Sequence, residues 1–323
     1  MISRAEQRYL HWLGRTYWQG EGDIVEIGPW LGGSTTCLAR GMAASGLDSR
    51  GRLYAFDNFV WRQFMSERAQ VTLRPGDSFL PQFVANLTPF RETVVAKIAQ
   101  LPDDHLEGDP FALNARGARD TTAETFEWRG GPVEILFVDG AKSWTAIRHL
   151  MLQVGPSLRP GHSLIVCQDF AYWGGYWVPM AMGALGQAVT PVHRVAPGGT
   201  VAFRVTRPLS ARVLDALPTF ADLTVDRGLT WLLGMAAQAR EQGWPVAGWA
   251  VDVAQVRFLM HLGQPERAVA TLDRLCEIWP LLVPVTELDG ARRWAAEALG
   301  RPVRQIRHRR MHRLVRRPLA TRR

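Results

Sequence analysis

Apolar and polar positions fall in short blocks over the first two-thirds of the chain, and each block reads as one element. Residues 23–27 form an apolar run with β-branched side chains, closed by Gly28, the pattern of a buried strand. Ser34 and Thr35 follow two glycines and predict a capped helix reaching about Gly46. A second strand is expected at 53–56, ending at Asp57, and a third at 94–98, with a helix over 79–87 between them. Residues 103–131 are polar with Pro and Gly, and read as an irregular insertion. Strand four is expected at 133–138, a helix at 143–154, and strand five at 163–167, ending near Asp169. Two further strands, near 191–195 and 200–205, lie close enough to pair antiparallel across Gly198 and Gly199.

Strands and helices alternating at this spacing predict an α/β architecture, a seven-stranded, mostly parallel sheet with helices on both faces. Ligands of such sheets bind beyond the carboxyl ends of the strands, where the strand order reverses. Gly28, Asp57, Asp139 and Asp169 all fall at such ends. After Arg207 the pattern becomes wholly helical, with helices expected at 223–242, 246–262 and 265–278. Val256, Leu259 and Met260, then Val269, Leu272 and Leu275, carry the helical period. The run LGQPERAVATL at 262–272 looks like the turn and second helix of a tetratricopeptide unit. Such units are stable only in arrays, so a packed helical appendage is the safer description. The expected division is 1–207 for the sheet domain, 208–300 for an all-helical appendage and 301–323 for a basic tail.

Charge changes the picture at one end. Residues 301–323 hold ten arginines and no acid, and setting them aside turns the net charge of +8 into −2. Such a tail can attract phosphate-rich partners or an anionic membrane surface, but like-charge blocks more often stay solvated. Lys97 and Lys142 are the chain's two lysines, which we take as a compositional habit. With 47% hydrophobic residues a sizeable core is expected, and no apolar run reaches the roughly 18 residues of a membrane span. Residues 1–13 carry charges and lack the apolar region of a secretion signal. Cys37, Cys167 and Cys276 are scattered, form no metal or redox pair, and suit a reducing cytoplasm.

The strongest motif is VEIGPWLGGST at 25–35. Glu26 at a strand end can meet an amino or amide group, and Gly28 permits a sharp turn. Gly32 and Gly33 let backbone approach a ligand, and Ser34 starts a helix whose N-terminus favours a carboxylate. Trp30 occupies the place of the second glycine in the dinucleotide pattern G-x-G-x-x-G, which points to an adenosine cofactor other than NAD. Asp57, closing LYAFD, can accept hydrogen bonds from both ribose hydroxyls.

With EIGPWLGGST, FDNF, ILFVDGAKSW and VCQDF in hand, the stretch from Gly22 to Val205 resembles class I S-adenosylmethionine-dependent methyltransferases. Within them it is similar to the macrocin O-methyltransferase-like group. The resemblance implies a Rossmann-like fold with S-adenosylmethionine as cofactor. It places Glu26, Gly28 and Ser34 about the cofactor's methionine end and Asp57 on the ribose, with Trp30 and Gly32 as further cofactor-binding candidates in the same loop. In that group, acids after strands four and five hold a divalent metal and supply a base. Here Asp139 and Asp169 remain, while Ala141 and Gln168 stand where further acids are expected. Two carboxylates and an amide make a poor site for a hard cation, so no metal ligands are assigned. Asp139, Lys142 and Asp169 become the candidate catalytic residues, with Lys142 either a base of lowered pKa or, more commonly for such a residue, an ion-pair partner of the two acids. His149 reads as structural, His162 lies at the wrong end of the sheet, and His193 reads as a core or surface residue.

Phe170, Tyr172, Trp173, Tyr176 and Trp177 follow Asp169, and an acceptor wall and a core helix are equally good readings of them. The leading function is methyl transfer to an oxygen of a saccharide or other small metabolite. A cofactor-binding protein that has lost its chemistry and keeps a binding or scaffold role is the alternative. Nucleic-acid modification ranks last, for want of a motif such as N-P-P-Y. The helical appendage is a candidate surface for a homo-oligomer.

Overall fold

The computed structural model describes residues 2–278, apart from 48–49, 70, 104–122, 173 and 197. Most of the expected insertion, Trp173 and the basic tail therefore lie outside the described residues. Seven strands form one sheet: β1 (Asp23–Ile27), β2 (Leu53–Asp57), β3 (Val94–Ile98), β4 (Val133–Val138), β5 (Leu164–Cys167), β6 (Val189–Arg194) and β7 (Val201–Val205). Their order is β3-β2-β1-β4-β5-β7-β6. β1 to β5 run parallel, and β7 enters antiparallel between β5 and β6. The chain leaves β1 toward β2 and β3, then returns to place β4 on the other side of β1. That reversal puts the crevice at the β1–β4 boundary, in a Rossmann-like, mostly parallel sheet.

The strands carry apolar side chains on both faces because helices cover both. On one face Ile24, Leu53, Ile135, Phe137, Leu164 and Val166 pack against α1 (Arg4–Trp12) and α2 (Gly33–Ser45). On the other, Val25, Leu136, Val138, Ile165 and Phe203 pack against α5 (Trp144–Val154) and α6 (Trp177–Leu185). Between β2 and β3 the chain makes α3 (Gln63–Ser66) and α4 (Leu80–Asn86), which enclose Phe59, Trp61, Phe79 and Phe83 in a separate aromatic cluster.

Helix α1 was not expected. Its start is written in the sequence as a capping box: Ser3 Oγ accepts the Glu6 N–H at 3.2 Å, and the Glu6 carboxylate accepts the Ser3 N–H at 2.7 Å. The other Glu6 oxygen accepts the Thr200 hydroxyl at 2.5 Å, tying α1 to the start of β7.

After the short α7 (Ala211–Leu214), three longer helices follow, α8 (Val225–Glu241), α9 (Pro245–His261) and α10 (Pro265–Ile278). Leu232, Met235 and Ala236 of α8 and Val251, Ala254 and Phe258 of α9 join the same core as α5 and α6. Trp249, Val253 and Val256 of α9 face Leu272 and Leu275 of α10. Covered on two sides, α9 is buried continuously from Ala247 to Leu259, which explains its lack of a polar stripe. No described helix is long and apolar enough to cross a membrane.

Candidate functional site

Three non-glycine residues among those described have positive φ: Trp30 at 45°, Phe59 at 53° and Asp169 at 59°. They follow β1, β2 and β5, all at the carboxyl edge of the sheet. Strained backbone of this kind costs about 1–3 kcal/mol per residue and collects at functional sites. It marks the same edge as the predicted residues.

The turn after β1 is built by glycine. Gly28 has φ 84°, and a Cβ there would stand 2.6 Å from the Gly140 nitrogen and 2.7 Å from its Cα. The turns after β1 and β4 thus touch backbone to backbone, at the point where the sheet reverses its order. Gly32 (φ 86°) is the N-cap of α2, without a side-chain cap. Ser34 therefore does not cap, as its position suggested; its hydroxyl is spent on Glu26 Oε1. The Cβ direction of Gly33 meets nothing within 4 Å, so this first residue of α2 is open to a ligand.

Glu26 is fully buried, and its Oε2 has no hydrogen-bond partner among the described residues. The Trp30 indole N–H, Thr35 Oγ1 and Gln168 Oε1, after β1 and β5, are also buried without a partner in hydrogen-bond geometry among the described residues, and the Thr35 hydroxyl lies near the Glu26 carboxylate. Buried polar atoms without partners are rare in folded proteins, and four beside one crevice point to a ligand that would satisfy them. Burial pushes the Glu26 carboxyl up to about 7, against the pull of the nearby Ser34 and Thr35 hydroxyls. Asp57 is half-buried, accepts the Phe59 N–H at 2.8 Å, and is pushed up to about 6 by burial, opposed by that N–H and by Arg62.

Glu26 gives a pH prediction. Between its ordinary value of 4.5 and about 7 the folded protein holds a proton that the unfolded chain has released, so its contribution to stability falls as pH rises. The contribution is fully present below 4.5 and gone above about 7, a loss of about 3 kcal/mol. Denaturant midpoints at pH 5 and pH 8 are expected to drop less with rising pH in Glu26→Gln than in the native ligand-free protein. Equal drops would show that Glu26 is not desolvated as described.

The second half of the site joins the ends of β4 and β5. Lys142 Nζ lies 3.0 Å from Asp139 Oδ1 and 2.7 Å from Asp169 Oδ2. Burial alone would lower the ammonium, but the two carboxylates outweigh it and hold the lysine above its ordinary value. Asp169 is held below the ordinary carboxylate range, since Lys142 outweighs the effect of burial. Lys142 is therefore the ion-pair partner of both acids, and it is a proton donor. Asp139 also raises Glu26 and Asp57 by its charge, so the halves form one electrostatic unit.

The aromatic run after Asp169 is largely core. Phe170, Tyr176 and Trp177 are buried, and Phe170 packs on Phe203 with ring centroids 5.2 Å apart. Tyr172 is 40% exposed. His149 Nε2 bonds the Phe126 carbonyl at 2.7 Å, a structural contact. His162 sits before β5 near Glu21, and His193 stacks on Tyr9 at 4.7 Å on the surface of β6. A groove of about 740 Å³ between α6, β6 and α8 shares no residue with the strand-end cluster.

No curated protein matches the chain. Among solved structures it is similar to the O-methyltransferase NovP, at 16% identity over 63% of this chain and 78% of that one, with a TM-score of 0.39. It is similar to the O-methyltransferase from Bacillus cereus in complex with SAH, at 17% identity over 64% and 83%, with a TM-score of 0.37. A third is the SAH-bound methyltransferase PaMTH1 of Podospora anserina, at 13% identity over 64% and 80%, again with a TM-score of 0.37. Likenesses of this size say nothing of substrate or metal. The stretch that carries every residue of the strand-end cluster, residues 25–170, matches the model of a family described as a methyltransferase domain.

Proposed function

We propose that the chain is an S-adenosylmethionine-dependent methyltransferase of the macrocin O-methyltransferase-like kind, acting on an oxygen of a small molecule such as a saccharide hydroxyl. The observation that carries this reading is the buried Glu26, its Oε2 unpartnered, behind a positive-φ glycine turn and one strand from Asp57. The family match over residues 25–170 supports it.

When bound, the cofactor supplies a methyl group on a sulfonium, an electrophile that needs positioning more than activation. Glu26 would hold the cofactor's amino group and Asp57 its ribose hydroxyls. Gly33 leaves room for the ligand against the start of α2. Asp57, Asp139 and Asp169 at the strand ends, with Glu26 ionising only near pH 7, would favour a cationic ligand, although Arg62 and Arg68 offset part of their charge. On the acceptor side, two of the three N–H groups of Lys142 are engaged by Asp139 and Asp169; the third would be available to an acceptor oxygen, whose proton would pass to a carboxylate oxygen of Asp139 as the methyl leaves the sulfonium.

Calorimetry of the full chain with S-adenosylhomocysteine tests the reading. A dissociation constant in the roughly micromolar range is expected, the ordinary strength of a cofactor site. Absence of binding at about a thousandfold higher concentration would sink it. The second reading, a cofactor-binding protein without turnover, is favoured by the engagement of Lys142 as a cation. Methyl transfer to any member of a saccharide panel removes that reading.

A further inference from the structure

We propose that the ammonium of Lys142 is the resident cation of the gap between the ends of β4 and β5, taking the place that a divalent metal holds in the group the chain resembles. Methyl transfer here then runs without a metal. The inference rests on the cofactor reading for its meaning, but its physical claim concerns this gap alone.

The residues present do not fit a divalent ion. Asp139 Oδ1 and Asp169 Oδ2 already converge on Lys142 Nζ. A second cation between the same two oxygens would lie against the ammonium, at a steep electrostatic cost. Ala141 is 2% exposed and belongs to the hydrophobic core, so its position offers neither charge nor an open side chain. Gln168 is 8% exposed and contributes at most an uncharged amide oxygen. Among the described residues no group of three or more His, Cys, Asp or Glu side chains is placed to hold a metal ion. Magnesium needs near-octahedral oxygen ligation that includes carboxylates free to bind it, and this gap has committed both of its carboxylates to nitrogen.

The arrangement is built rather than incidental. Lys142 lies three residues beyond Asp139, close enough to fold back on it, while its second partner is 27 residues away on another strand end. Asp169 reaches the ammonium from a left-handed backbone, φ 59°, which an aspartate adopts at a cost. The lysine side chain remains 44% exposed, so the bridge is open on one side, as a cation that serves a ligand must be.

The test is a manganese titration of the full-length protein, with free ion read by electron paramagnetic resonance. Native protein is expected to bind Mn²⁺ no tighter than about 1 mM, in the range of weak carboxylate sites. Lys142→Ala frees both carboxylates and is expected to lower the dissociation constant at least tenfold, and adding Gln168→Asp to lower it further. Lys142→Arg, which keeps the cation, is expected to behave as native. Circular dichroism checks that each variant is folded, and Lys142→Gln serves in place of the alanine if that variant is not. Native binding tighter than about 0.1 mM would overturn the proposal, as would removal of the lysine with no gain. If Mn²⁺ follows the expected pattern while S-adenosylhomocysteine does not bind, the resident cation stands and the cofactor reading falls.

Discussion

Replacing Asp57 with alanine is expected to weaken S-adenosylhomocysteine binding by about 1.5–3 kcal/mol, roughly 10- to 150-fold. The carboxylate ends β2 one strand from Glu26 and is half-buried, so hydrogen bonds to it are little diluted by water. Burial pushes it up to about 6, so at pH 7.5 it is ionised and ready to accept two ribose hydroxyls. Its Oδ1 also accepts the Phe59 N–H, at a residue with φ 53°, so alanine could act by loosening the loop. Asp57→Asn separates the causes: its amide oxygen keeps that bond, but its NH₂ cannot accept from a ribose. Alanine and asparagine are therefore both expected to lose affinity, while asparagine keeps the melting temperature. Native affinity in both variants would remove Asp57 from the site.

The glycine turn gives the second large effect. Gly28→Ala is expected to cost about 2–4 kcal/mol of stability, through a side chain forced into the left-handed region and against the Gly140 backbone. The atoms a methyl there would meet, in Asp139 and Gly140, are all main chain and cannot swing away as a side-chain tip could. Gly33→Ala is the control. It lies in the first turn of α2 with open space beyond its Cα, so stability is expected to hold within about 0.5 kcal/mol. If a ligand comes close to that backbone, Gly33→Ala loses cofactor affinity without losing stability. A Gly28→Ala protein as stable as the native one would contradict the contact between the two turns.

The strands were legible because each is an apolar, β-branched run ended by a glycine or an acid. The sequence placed β1, β3 and β4 at the residues the structure gives them, and β2 and β5 within one residue at one end. Gly28, Asp57, Asp139 and Asp169 were placed at strand ends for the same reason, and the structure has them there, with Glu26 one residue inside β1. Helix α1 escaped the pattern although Ser3 and Glu6 spell its capping box, because it buries one apolar side chain, Leu10, too few to set a helical period. Ser34 was legible as a residue and not as a role: spacing cannot say whether a hydroxyl turns to a helix end or to a carboxylate eight positions back. The positive φ of Trp30, Phe59 and Asp169 has no signature in residue type, because such conformations are imposed by the surrounding fold. The aromatic run after Asp169 divides by a helical turn that begins only at Trp177, and side-chain identity alone could not tell Tyr172 from its buried neighbours.

The core that joins α6 to α8 and α9 reaches well past the family match, which ends at residue 170. A fragment stopped at residue 207 would lay bare Trp177, Met180, Ala181 and Leu185, side chains that Leu232, Met235, Ala236 and Phe258 help to close off from water. An apolar face of that size invites self-association during expression. Heat or denaturant is therefore expected to melt the sheet and the first two C-terminal helices in a single transition, and a protease that cuts between them to release no soluble half.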